Sequence, residues 1–115
     1  MSKKLYNKLK EYPVILNILL ISEGWLVGGS IASLLDNKEP KDFDIIVPDR
    51  ELFMKVCKHL EDKGDITFNT LGGIKCTNKD LTIDIWCNNL EQFILNANKV
   101  DYLYNLKKNK TILAQ

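Results

Sequence analysis

The chain predicts an α/β (α+β) fold, a small mixed sheet with helices packed on one face. Three observations lead there. Helical patterns come before and between short apolar strands. Two of those strands set acids into otherwise apolar runs, Asp42 and Asp44 at alternate positions of one and Asp84 in the other. The 115 residues suffice for one core that buries roughly two-thirds of the unfolded surface. Residues 1–115 therefore read as a single minimal domain, with no internal repeat, low-complexity tract or linker.

Residues 3–22 read as helical, with Pro13 either starting a second helix or kinking a single one. Ile15, Leu16, Leu19 and Leu20 form the buried stripe, and Gly24 ends the helix. Residues 25–27 are a short apolar strand that runs into Gly28-Gly29-Ser30, where Ser30 is the N-cap of a short helix through Leu35. The polar loop 37–41 leads to a strand over 42–47. Pro48 stops that strand, and Asp49 caps a helix from Arg50 to about Lys63. Its apolar face is Phe53, Val56, Cys57 and Leu60, and Gly64 ends it. Residues 66–70 and 74–77 are strands joined through Gly72-Gly73, and the turn Asn78-Lys79-Asp80 leads into a strand over 81–86. Residues 89–96 form a modest helix. Residues 102–105 and 111–113 form a closing hairpin around Lys107-Lys108-Asn109.

With 45% hydrophobic and 27% charged residues, the composition is that of an ordinary globular protein. The net charge of +1 offers no overall basic field for a long nucleic acid. Arg50 is the one arginine among sixteen basic residues, so a phosphate site must lean on backbone N–H groups, metal and lysine instead of guanidinium clamps. Cys57, Cys76 and Cys87 lack Cys-x-x-Cys spacing, which argues for buried thiols in a reducing compartment and against a disulfide framework or structural zinc. His59, the one histidine, falls next to an apolar helical stripe and reads as structural. The apolar run 14–21, interrupted by Asn17, is far short of the ~20 residues a membrane span requires. Lys3, Lys4, Lys8 and Lys10 alternate with Leu5, Tyr6 and Leu9 in an amphipathic pattern, not a signal peptide. The cytoplasm is the expected compartment, with no membrane partner.

The chemistry concentrates in Asp42, Asp44 and Asp84. Side chains two apart on a strand share a face. Asp42 and Asp44 thus point one way while Phe43, Ile45 and Val47 point into the core. In the second run Thr82, Asp84 and Trp86 oppose Leu81, Ile83 and Ile85. If the two strands are neighbours, three carboxylates meet on one surface, where they repel unless a cation sits among them. An oxygen-only set of that kind suits Mg²⁺ or Mn²⁺. A solvated acidic strand face without metal is the plainer alternative. The strand that runs into Gly28-Gly29-Ser30 and a helix is a second candidate element. Glycine allows close backbone approach to a phosphate, and a helix amino end presents free N–H groups. Alone it is weak evidence, and no P-loop or dinucleotide fingerprint accompanies it.

In combination the two elements are specific. The run 26–35, Leu-Val-Gly-Gly-Ser-Ile-Ala-Ser-Leu-Leu, followed by Lys41-Asp42-Phe43-Asp44-Ile45, resembles the catalytic head of tRNA nucleotidyltransferases and poly(A) polymerases. Those enzymes belong to the DNA polymerase beta nucleotidyltransferase superfamily. The segment Thr70-Leu71-Gly72-Gly73-Ile74-Lys75 and then Ile83-Asp84-Ile85-Trp86 looks like strands of its small members, so the resemblance covers residues 24–86. It implies a nucleotidyltransferase fold in which Asp42 and Asp44 bind both of two divalent metals. Asp84 completes the hydroxyl-side site and doubles as a base. Gly28, Gly29 and Ser30 hold the β- and γ-phosphates of an incoming NTP such as ATP.

The sequence departs from those heads at Ala32 and Ser33, where an Arg-Asp pair is usual. Lys41, or Lys38, is the candidate replacement cation. The base-selecting neck, the tRNA-gripping body and tail and an Arg-Arg-Asp motif are missing, so CCA addition is not expected and the chain reads as a head-only form. Trp86 lies one pleat from Asp84, about 7 Å along the strand. There it either stacks a base or is covered by the carboxy-terminal hairpin or by a second subunit, which makes a homodimer a reasonable expectation. The leading reading is a two-metal transferase that moves a nucleoside monophosphate from an NTP to an RNA end, a small molecule or a protein, with pyrophosphate release. Minimal nucleotidyltransferases that act as antitoxins are a poorer match, since they carry a Gly-Ser turn with a downstream arginine. The alternatives are a non-catalytic nucleotide- or RNA-binding module that keeps the fold, and an RNA-end binder using Lys3, Lys4, Lys8, Lys107 and Lys108.

Overall fold

Pro13 starts a new helix instead of kinking one. In the computed structural model, which describes residues 1–63, 65–69, 72–96 and 101–114, helix α1 spans Ser2–Leu9 and α2 spans Pro13–Ser22, with the proline at its first position where no backbone donor is lost. Strand β1 (Trp25–Val27), α3 (Gly29–Leu35), β2 (Asp42–Val47) and α4 (Arg50–Leu60) follow. Then come β3 (Asp65–Phe68), β4 (Ile74–Asn78), β5 (Leu81–Cys87), α5 (Leu90–Asn96), β6 (Asp101–Asn105) and β7 (Lys110–Ala114). The seven strands form one mixed sheet in the order β3-β4-β5-β2-β1-β6-β7. Among the described residues only β2 and β5 run parallel; the other neighbours are antiparallel.

The alternation read from the sequence sorts the two faces. Phe43, Ile45 and Val47 of β2 and Ile83 and Ile85 of β5 lie in the main core. Against them pack Leu5 and Leu9 of α1, Ile15, Ile18 and Leu19 of α2, Ile31 and Leu34 of α3, and Phe53, Val56, Cys57 and Leu60 of α4. Tyr12, in the α1–α2 link, tilts its ring against Phe43 with centroids 5.1 Å apart. A smaller cluster of Trp25, Val27, Ile46 and Leu103 occupies the opposite face. Leu90, Phe93 and Ile94 of α5 pack onto it together with Trp86 and Ile112.

Several boundaries differ from the sequence reading. The α2 stripe is Ile15, Ile18 and Leu19, while Leu20 is 54% exposed, so the buried face is rotated by part of a turn. The helix closes on Glu23, which adopts the left-handed conformation (φ 52°) one residue before Gly24. Asp49 caps α4 as predicted, its carboxylate accepting from the Leu52 N–H at 3.0 Å, but the helix ends at Leu60. The expected stop at Gly64 and the strand end at Thr70 lie outside the described residues. All three cysteines are free thiols, and burial pushes those of Cys57 and Cys76 above the usual range. Among the described residues no helix is long and apolar enough to cross a membrane.

Candidate active site

Because β2 and β5 pair in parallel, Asp44 stands directly opposite Asp84, Asp42 opposite Thr82, and Ile46 opposite Trp86. Adjacent strands lie about 4.8 Å apart, so acids forty residues apart in sequence become neighbours on the face away from α1–α4. Asp42 is exposed, while Asp44 and Asp84 are half-buried. Burial first, then the charges of Asp84 and Asp42, hold the Asp44 carboxyl above the usual aspartate range. The three groups therefore share one electrostatic environment.

The glycine turn closes the site from the other side. Val27 pairs with Asp44, which brings the next residue, Gly28, against that carboxylate. Gly28 has φ 82° and ψ −164°, a conformation that side chains disfavour, and a Cβ there would lie 2.7 Å from Asp44 Oδ2. Only glycine satisfies both demands. Helix α3 begins at Gly29, so Gly28 takes the N-cap position that the sequence reading gave to Ser30. Ser30 instead sits in the first turn, 5% exposed, its hydroxyl buried with no hydrogen-bond partner. Gly29 faces open space. The first-turn amides of a helix have no internal acceptors, so this end of β1 presents free donors beside an acidic cluster, with the unpaired Ser30 hydroxyl buried beneath them.

Two other candidate residues are placed differently. Lys41 is one residue from Asp42, so it belongs to the opposite face. It lines a cleft with Glu11, Tyr12, Glu39, Asn78 and Leu81, and its carbonyl accepts from the Thr82 N–H at 2.8 Å. The structure does not bring it to the acids. Trp86 is half-buried and packs onto the smaller cluster alongside α5, so its cover comes from within the chain. The cation that does reach the acids is Lys75, which pairs with Asp84 across β4–β5 with Nζ 4.0 Å from Oδ1. Sequence reasoning missed it, although Ile74-Lys75-Cys76 alternates in the way that would put Lys75 on the acidic face. Gly73 tightens this corner, since a Cβ there would meet the Ile85 carbonyl at 2.9 Å and the Trp86 Cβ at 3.0 Å.

The donor set is all oxygen and suits a hard divalent cation. Burial, and after it the charges of Asp84 and Asp42, raise the Asp44 carboxyl, and a cation among the acids would offset both. Among the described residues, no three acidic, histidine or cysteine side chains stand in finished ligand geometry; Asp84 is drawn toward Lys75.

The mixed sheet carries an acid pair on a central strand with a glycine turn beside it. Solved structures share the fold. A CCA-adding enzyme in complex with CTP superposes with a TM-score of 0.66 at 20% identity, over 96% of this chain and 31% of that one. The same class of enzyme with ATP gives 0.67, 20%, 96% and 32%. A Thermotoga maritima CCA-adding enzyme complexed with tRNA gives 0.63, 20%, 90% and 29%. The chain thus spans about a third of the length of these structures, and at this identity the likeness is one of fold. No family profile and no curated protein matches the chain.

Proposed function

We propose that this domain is a nucleotidyltransferase that moves a nucleoside monophosphate from an NTP to a hydroxyl acceptor. The observation that carries the reading is the register of Asp44 opposite Asp84 with Gly28 against the Asp44 carboxylate. The turn Gly28-Gly29-Ser30 binds the β- and γ-phosphates through backbone N–H groups and the unpaired Ser30 hydroxyl. The open edge of Trp86 gives the base an apolar surface beside the acids. Asp42, Asp44 and Asp84 are the residues that would hold Mg²⁺ or Mn²⁺, which would supply charge neutralisation for the polyphosphate and the acceptor hydroxyl. The acceptor oxygen bonds to the α-phosphorus as the bond to the β-phosphate oxygen breaks. Pyrophosphate leaves with that electron pair, and the hydroxyl proton passes to Asp84. Lys75 fixes the orientation of that carboxylate from the side remote from the glycine turn.

The test is release of pyrophosphate from labelled NTPs with Mn²⁺, with total RNA or none. Asp44→Ala should lower the rate by roughly a thousandfold or more, about 4 kcal/mol of transition-state stabilisation. Ala32 and Ser33, and the contact of Lys75 with Asp84, favour a second reading in which the domain binds a nucleotide without turning it over. No pyrophosphate release together with no metal-induced thermal shift selects that module. RNA, small-molecule and protein acceptors are separated by supplying each in turn, and a homodimer by the mass in solution.

A further inference from the structure

Basic segments from the two ends of the sequence meet where Lys3 of α1 lies beside the hairpin turn that carries Lys107 and Lys108. Residues 1–10 carry Lys3, Lys4, Lys8 and Lys10 and no acid, and residues 102–115 carry Lys107, Lys108 and Lys110 and no acid. These seven are nearly half of the sixteen basic residues in a chain whose net charge is only +1. The fold brings the two segments together. Ser2 Oγ and Thr111 Oγ1 lie 2.6 Å apart, and Lys3 and Tyr6 of α1 line one surface cleft with Leu106 and Asn109 of the hairpin turn.

The turn is a firm platform. The Lys108 N–H donates to Asn105 Oδ1 at 2.8 Å, and the buried Asn105 donates its own amide to the Glu23 carbonyl at 3.3 Å. Glu23 also accepts from Lys107 Nζ at 3.1 Å, but both side chains are about half exposed, so a phosphate can take its place. Tyr6 is 41% exposed among these lysines, with Lys10 Nζ 4.9 Å from its ring centre. The apolar residues of α1, Leu5 and Leu9, are fully buried. The helix therefore has no apolar face left to enter a membrane. An exposed aromatic set among lysines matches instead the chemistry of a single strand, with phosphates on cations and bases on a ring.

We infer that the α1–hairpin pole is a docking surface for a single-stranded oligonucleotide. It is distinct from the acidic site. Asp44 pairs with Val27, and Trp25 pairs with Asn105. The Lys107-Lys108 turn thus lies roughly 13–17 Å away along the strands, beyond the end of β1 remote from Gly28. Binding here does not depend on the transferase reading.

Fluorescence anisotropy of a labelled 20-nucleotide RNA, measured in EDTA without NTP, tests it. The variant Lys3→Gln/Lys107→Gln/Lys108→Gln should weaken binding about tenfold or more and flatten the plot of log affinity against log salt by about two. The corresponding arginine triple should restore binding. Arg50→Gln/Lys63→Gln/Lys79→Gln, with the same charge change elsewhere, should leave it within about twofold, and Asp44→Ala should bind like the wild type. The proposal is overturned if the two glutamine triples weaken RNA equally, if neither does, or if the pole binds phosphatidylserine vesicles and not RNA. Loss of transferase activity alone would leave this binding unchanged, so the two ideas fail separately.

Discussion

Asp44 faces Asp84 across the β2–β5 ladder, and one pleat further along Ile46 faces Trp86. The backbone is continuous through both pairs, yet the first is half-buried and acidic, while in the second Ile46 is fully buried and only Trp86 keeps an exposed part. What differs is the cover. Leu103 of β6 and the α5 residues Leu90, Phe93 and Ile94 lie over the Ile46 end, whereas the Asp42 end is exposed. The apolar half fixes the strands, and the acidic half spends some of that stability on crowding like charges. If this division of labour holds, trimming a buried side chain in the apolar half destabilises, while removing a charge from the acidic half stabilises.

The largest effect belongs to the apolar half. Ile46 is fully buried, so Ile46→Ala should cost about 2–5 kcal/mol in urea unfolding, from lost burial and the cavity left behind. A loss below about 1 kcal/mol would mean that α5 does not seal this end.

Next come the adjacent glycines, which sharpen the comparison at the rim of the acidic half. At Gly28 a methyl group meets Asp44 Oδ2 at 2.7 Å and the backbone φ is 82°. Gly28→Ala should cost about 1–3 kcal/mol. At Gly29 nothing lies within 4 Å of a built Cβ and the residue opens a helix. Gly29→Ala should be neutral or stabilise by up to about 1 kcal/mol. Thermal unfolding of the pair decides the matter, and equal losses would remove the Asp44 contact from the argument.

The face shared by Asp42, Asp44 and Asp84 was legible because strand alternation needs no tertiary knowledge. Their adjacency was not; it required β2 and β5 to be neighbours, which the resemblance to a known head implied through its third acid on a later strand and periodicity alone could not supply. Lys41, the candidate replacement for the cation missing at Ala32-Ser33, lies on the other face, where the same alternation sends it. Lys75 depends for its partner on the β4–β5 register across the Lys79-Asp80 turn, which sets it opposite Asp84 and which strand alternation alone does not specify. The N-cap of α3 went to Gly28 and not Ser30 because the turn against Asp44 demands positive φ one residue before the helix begins. Helix α5 was visible as a helix, but nothing in its short pattern said which side of the sheet it would cover.

The smallest effect reports on the acids themselves. Burial and the charges of Asp84 and Asp42 raise the Asp44 carboxyl above its usual value in the folded protein. Below the usual aspartate range both folded and unfolded forms are protonated and the group costs nothing. As pH rises, the unfolded chain ionises first while the folded group lags, so stability falls until the folded carboxyl has ionised too, and the deficit persists at neutral pH. Asp44→Asn keeps the shape and removes the charge. Its melting temperature should therefore exceed that of the wild type by a few degrees at pH 7, and the gap should close by pH 3. Millimolar Mg²⁺ should raise the wild-type value at pH 7 more than that of the variant, because a cation that binds only the folded acids stabilises by mass action. A lower melting temperature for Asp44→Asn at pH 7, or a gap that does not change with pH, would mean that the crowding is not what the acidic half spends its stability on.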